Sequence, residues 1–385
     1  MKSLFLILNI LLPLTIYSQS SREATIALPQ GFGIELLNSN GSSGILNNTY
    51  NISAMNPAAI SQLENLSMGF SYQFQTNIPD AYALDISTHR VYNYLPQSIG
   101  GAYHYNQFSF GVGAGQKYNG SFEYGPILSI DPDSTGGIYT PELSNILHYY
   151  SLIAAYSFKD LFERNSELSF GLKYNLNSLY TFEKILDFEE SSSLWGSNFE
   201  IGTLYKFNYE QEKEIIFGLA YKSVASLEKN DEPALIVTTG IPGSVPGSGT
   251  YTVASPGKTI LELPAEFDFD FAIQASDKWT FTVSFKDVFW NGVQDNIKNQ
   301  PEFSASGIYD MNKSNAISLG VFYTNKVYET DVFDMNGKFE ALFMTAGISL
   351  NINFLNVDIA LADSHLFSGE YRKQTIGKIA IGIQL

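Results

Sequence analysis

The chain contains no cysteine, and only four histidines and three tryptophans among 385 residues. Without cysteine there is no disulfide framework, no thiolate metal site and no cysteine nucleophile. The histidines, His89, His104, His148 and His365, stand far apart and share no ligand spacing. Charge is scarce too: 16% of residues are charged, where about 25% is usual for a soluble domain. Basic side chains number only 22 against 39 acids, for a formal net charge of -17. Phosphate backbones are bound by clustered Lys and Arg, so nucleic acid is not expected as a partner. No Gly-x-Ser-x-Gly elbow and no phosphate-binding glycine loop occurs. No enzyme activity, cofactor or metal is expected, although Asp131-Pro132-Asp133-Ser134 carries a few cation-type ligands.

Long hydrophobic runs are also absent after the first residues. Residues 1–19 read as a signal peptide, with Lys2 as the positive start, Leu4 to Leu14 as the apolar stretch and cleavage near Gln19. That stretch is too short for a membrane-spanning helix, which needs about 20 apolar residues.

Aromatic residues are abundant, with 28 Phe and 24 Tyr, and they recur with period two. Leu66, Met68, Phe70, Tyr72 and Phe74 alternate with Ser67, Gly69, Ser71, Gln73 and Gln75. The same alternation runs through 108–114, 167–176, 199–209, 266–274 and 278–286. Successive side chains of a strand point to opposite faces, so each stretch predicts a strand with one apolar and one small or polar face. Stretches of about 9 to 12 residues match a tilted strand crossing a bilayer. Repetition over more than 300 residues behind a signal peptide predicts an all-β, antiparallel transmembrane β-barrel in a Gram-negative outer membrane, with outer-membrane lipid against its apolar face. Sixteen candidate strands can be drawn. Those at 81–90, 98–105 and 120–130 are poor, and fourteen or sixteen strands both fit. A secreted antiparallel sheet protein is the alternative.

Two stretches do not alternate. Residues 20–65 hold Gly31-Phe32-Gly33 and Asn56-Pro57-Ala58-Ala59. They predict a plug inside the barrel, with a helical turn from Pro57 to Leu63 capped by Asn56; a periplasmic tail is the other reading. Residues 225–260 are punctuated by Gly and Pro and predict a long external loop or hairpin. Further long loops are expected at 131–146 and 182–197. The barrel then occupies 66–385. On one strand, Glu266, Asp268 and Asp270 lie opposite Phe267, Phe269 and Phe271, which places three carboxylates toward the lumen. The plainest reading of that row is a solvated interior surface. The lysines look scattered along the chain.

These features resemble the FadL/TodX family of outer-membrane transport barrels. Gly31-Phe32 through Asn56-Pro57-Ala58-Ala59 is similar to the family's N-terminal hatch. Leu263-Pro264-Ala265-Glu266-Phe267, with Trp279-Thr280-Phe281 and Trp290, is similar to the segment leading into the next barrel strands, and Ala346–Leu350 with Val357–Ala362 to the penultimate hairpin. The resemblance implies fourteen strands, a hatch that includes Gly31, Phe32, Asn56, Pro57 and Ala58, and uptake of a hydrophobic small molecule released through the wall. That molecule is either fatty acid-like or neutral. The mature chain has only four arginines, Arg22, Arg90, Arg164 and Arg372, which argues for a neutral one. The alternative is a non-transporting barrel subunit of an outer-membrane protein complex.

Overall fold

The computed structural model describes residues 36–38, 43–46, 49–63, 65–77, 91–123, 127–128, 138–139, 142–161, 165–185, 188–210, 213–230, 235–236, 251–252, 258–293, 298–312, 314–325, 340–368 and 373–385. Fourteen antiparallel strands close into a barrel. They are β1 (Leu66–Asn77), β2 (Val91–Tyr105), β3 (Phe108–Glu123), β4 (Glu142–Lys159), β5 (Ser166–Ile185), β6 (Phe188–Glu210), β7 (Lys213–Lys222), β8 (Glu266–Ser276), β9 (Trp279–Val288), β10 (Gln300–Asn312), β11 (Asn315–Asn325), β12 (Glu340–Ile352), β13 (Leu355–Asp363) and β14 (Thr375–Gln384). Each strand pairs with the next. β14 pairs with β1 from Ser67↔Gln384 to Thr76↔Thr375, so the wall has no free edge there. Closure satisfies the backbone within the sheet, as lipid requires.

The two faces separate as the alternation predicts. Met68, Phe70, Phe110, Leu152, Phe170, Ile201, Phe281, Leu319 and Ile379 are exposed on the outside. Ser67, Ser71, Ser109, Ser157 and Ser169 are buried on the inside. No helix among the described residues is long and apolar enough to cross a membrane, and the membrane is crossed by strands.

One end of the barrel carries tight turns. Asn106, Asp160, Asn165 and Asn353 adopt positive φ there, a conformation that short polar side chains tolerate. The other end carries the longer connections, and by the usual asymmetry of such barrels it faces outward. Between β7 and β8 an accessory hairpin forms from Ala225–Asn230 and Lys258–Leu263. It meets β6 at Glu228↔Trp195.

The structure sorts the sixteen candidate strands. Residues 98–105 form the end of β2. Residues 120–123 extend β3, and Ile127–Leu128 only bridges to Ile138–Tyr139; residues 81–90 lie outside the described residues. Of the loop expected at 182–197, residues 182–185 and 188–197 are instead strand: they belong to β5 and β6, up to 23 residues long. The outward side chains change there from Ile201 and Phe199 to Ser197, Trp195, Ser193 and Ser191, while Leu194 and Leu179 stay buried inside. That switch to an outward row of serines broken only by Trp195 marks where the strands rise out of lipid, and it masked them as loop.

Candidate functional site

The N-terminal segment lies against the inner wall. Its described residues, within 36–63, supply Ile45, Ile52, Met55, Ala58, Ala59, Ile60 and Leu63 to a core whose wall side is Ala102, Ile153, Ala155, Leu204, Ile216 and Ala272. Two short 3-10 turns, Thr49–Asn51 and Pro57–Gln62, shape it. Asn56 caps the second, its Oδ1 accepting from the Ala58 N–H at 2.9 Å, with Pro57 at the first helical position. The Asn56 amide also donates to the Leu219 and Thr203 carbonyls at 3.0 and 3.3 Å, which ties the turn to β7 and β6.

Glycines in the wall make room for this contact. A Cβ on Gly171 would sit 2.3 Å from the Ala58 nitrogen, and one on Gly69 would sit 1.9 Å from the Thr49 carbonyl oxygen. Polar side chains complete the fit. Ser98 donates to the Tyr50 carbonyl at 2.7 Å, Ser61 donates to Ser169 at 2.9 Å, and Asp270 accepts from the Gly44 N–H at 3.3 Å. Burial and the Asp358 carboxylate push the Tyr50 phenol above its ordinary range, so it stays neutral. Two lysines hold the segment's polar groups: Lys378 donates to Asn51 Oδ1 at 2.9 Å, and Lys173 donates to the Met55 carbonyl at 2.8 Å.

Lys173 also opens a row of alternating charge. Strand register sets Lys173 opposite Glu200, Glu200 opposite Lys222, and Lys222 opposite Glu266. Two residues along β8, Asp268 stands opposite Lys286, which in turn faces Glu302 on β10. Cross-strand neighbours of opposite charge stabilise each other. The Lys173–Glu200 pair spans 3.0 Å, Lys286–Glu266 3.0 Å, Lys286–Asp268 2.9 Å and Lys222–Glu266 3.5 Å. Lys117 on β3 joins from another part of the wall. It is the extra residue of a bulge between Gln116 and Tyr118, and its ammonium bonds to Glu266.

Toward the outward end the interior turns apolar. Leu147, Leu179 and Leu194 of β4–β6 pack with Ala225, Leu227, Leu261 and Leu263 of the accessory hairpin and with Val288 and Trp290. The Trp290 indole N–H donates to Gln300 at 3.2 Å. Along β11–β14, Leu37 of the N-terminal segment packs against Phe322, Phe343, Ala360, Ala362 and Ile376.

Of the residues singled out in the sequence, Asn56, Pro57 and Ala58 converge on β5, β6 and β7. Glu266 and Asp270 are buried on the inner face and Asp268 is half-buried there. They are clamped by lysines and by the N-terminal segment, so the expected solvated surface is in fact an ion-paired one. Gly31 and Phe32 lie outside the described residues, as does Asp131–Ser134. The sequence reading missed the lysines. Lys117, Lys173, Lys222 and Lys286 are far apart along the chain and meet only through barrel register and one bulge.

No protein-family model matches the chain, and no curated protein matches it in sequence. Solved structures do match. The Ralstonia pickettii toluene transporter TbuX superposes with a TM-score of 0.59 at 12% identity, covering 93% of this chain and 99% of that one. A Pseudomonas aeruginosa FadL homologue gives 0.61 at 13% identity, covering 92% and 100%. The Pseudomonas putida toluene transporter TodX gives 0.58 at 10% identity, covering 93% and 99%. The chain has the fold of the FadL-type outer-membrane barrels. With that fold, a closed wall and an apolar belt, it is a multi-pass protein of the Gram-negative outer membrane.

Proposed function

We propose that this barrel is an uptake channel for hydrophobic small molecules and that residues 20–65 form its hatch. The observation that carries the reading is the layering of the interior. An apolar cluster built from the hairpin and Trp290 stands at the outward end. A level of ion pairs follows, and below it the N-terminal segment fills the wall's glycine-lined recesses. A hydrophobic site near the entrance with few, placed polar groups is the usual build of a small-molecule site. The solved barrels of this fold include two toluene transporters and a monoaromatic hydrocarbon channel, which supports the same class of cargo here.

The test is gentle detergent purification from native membranes, followed by mass spectrometry of protein and small molecules together. The expected result is a single barrel chain carrying an apolar compound, lost on Asn56→Ala. A stoichiometric partner protein with no retained apolar compound would overturn the channel reading in favour of an accessory subunit.

A further inference from the structure

We infer that Glu266 is a built-in counter-anion that turns the channel against carboxylate-bearing cargo, so that its ligands are uncharged. The inference rests on the channel reading above and concerns which hydrophobic molecules pass.

Lysines inside a barrel are the groups a ligand carboxylate would seek, because charge-assisted hydrogen bonds are among the strongest that a site can offer. This interior has such lysines, and three of them meet at Glu266. Lys222 and Lys286 reach it from the flanking strands β7 and β9, and Lys117 reaches it from β3, with four strands of wall between. Lys286 is shared with Asp268, and Lys173 is held by Glu200 and by the Ser53 and Met55 carbonyls. The positive charge of the ion-paired level is therefore matched by the protein's own carboxylates.

A fatty acid could bind these lysines only by displacing Glu266 or Asp268. That would leave a protein carboxylate buried without its partner, and removing one member of a buried pair is strongly unfavourable. An alcohol, ester or hydrocarbon makes no such demand. The residue that decides the matter is Glu266, since it alone engages all three lysines. Lys117 is the one that strand neighbours do not place beside it, because it arrives by way of a bulge.

The experiment is equilibrium binding of dodecanoate and 1-dodecanol to the purified mature protein in detergent, at a pH where the acid is ionised. The wild type should bind the alcohol at least tenfold more tightly than the carboxylate. Glu266→Gln keeps the shape and frees the lysines, so it should raise the carboxylate-to-alcohol affinity ratio at least tenfold. Adding Lys117→Gln and Lys222→Gln together should remove most of that gain. Should Glu266→Gln fail to assemble, Glu266→Gln with Lys222→Gln removes one charge of each sign and is read the same way. An assembled variant with an unchanged ratio overturns the inference. Equal binding of both compounds by the wild type also overturns it and leaves the channel reading standing. Binding of neither overturns both.

Discussion

Gly202 on β6 lies directly against the Asn56 side chain, so close that a Cβ at residue 202 would sit 2.1 Å from Asn56 Oδ1 and 2.9 Å from the Pro57 ring. Gly171 and Gly218 on the neighbouring strands receive Ala58 and Ile45 in the same way. Glycine weakens a strand and is kept where another backbone must come close. These three positions therefore tie the wall sequence to the segment it encloses, although they lie more than 100 residues from it along the chain.

Gly202→Ala should leave the barrel assembled and dislodge the capped turn. Alanine suits a strand interior better than glycine does, so the ladders β5–β6 and β6–β7 are unharmed. The turn, however, cannot share space with the new methyl group. The expected outcome is higher single-channel conductance in planar bilayers, together with new protease cleavage within residues 49–63. An assembled Gly202→Ala barrel with wild-type conductance would show that the segment does not obstruct the lumen. Deletion of 31–55 serves as the reference for full opening.

Asn56 performs two separable tasks. Its Oδ1 caps the turn, and its amide reaches the Thr203 and Leu219 carbonyls. Asn56→Ala loses both, about 1 kcal/mol for the cap and roughly 1 kcal/mol for each neutral hydrogen bond to the wall. Asn56→Asp keeps the cap acceptor and loses only the wall donors. Hydrogen exchange at the Ala58 and Ala59 amides should rise most in Asn56→Ala and less in Asn56→Asp, with strand amides unchanged. Equal protection in all three proteins would mean that the wall glycines alone hold the turn.

Most of the barrel was legible because its signal is local. Period-two alternation of Phe and Ile with Ser and Gly assigns a face to each residue from its neighbours alone, and Asn56-Pro57 announces a capped turn in the same local way. The charged interior was not legible. Lys117, Lys222 and Lys286 become partners of Glu266 only when strand register and the bulge at Gln116–Tyr118 are known, and both depend on distant pairings. The upper parts of β5 and β6 were hidden for a different reason. Above the lipid an outward serine costs nothing, so the apolar alternation used to find strands fades there.

The lipid face is tested by Phe281→Lys against Thr280→Lys. Phe281 is exposed outside and its neighbour Thr280 is half-buried within. A lysine at mid-depth on the lipid face costs about 2–4 kcal/mol, and less near the interface. Phe281→Lys, and more strongly Phe170→Lys, should lower the yield of heat-modifiable, assembled protein, while Thr280→Lys should be milder. Ser169→Lys, which faces inward, is not a mild control. Ser169 is wholly buried and bonded to Ser61 and Ser157, so a lysine there strikes the N-terminal segment. Greater loss for Thr280→Lys than for Phe281→Lys would show that the two faces are exchanged.

The accessory hairpin is held mainly by apolar contact, which sets up the last prediction. Among the described residues its only register pair with the barrel wall is Glu228↔Trp195, too little backbone pairing to fix six-residue arms. Leu227 and Ala225 are fully buried against Leu147, Leu179 and Leu194, and the close fit of Ser226 over Gly196 brings the backbones together. Burying a leucine side chain contributes about 1.5–3 kcal/mol, so Leu227 is a principal anchor of the hairpin. Leu227→Asp replaces that anchor with a carboxylate that has no partner among these leucines, and an isolated buried charge is avoided at almost any structural cost. The hairpin should therefore swing away and become sensitive to protease at 225–263. The fourteen-strand wall, closed independently through β6–β7 and β7–β8, should keep its heat-modifiable migration on gels. If the apolar cluster captures cargo, binding of a hydrophobic ligand should fall at least tenfold in the same variant. Trp290→Ala, which empties the cluster from the opposite side, should produce a similar loss without freeing the hairpin. A freed hairpin with undiminished binding would place ligand capture elsewhere in the barrel. An unchanged protease pattern in assembled Leu227→Asp would show that the hairpin is fixed by contacts other than this cluster.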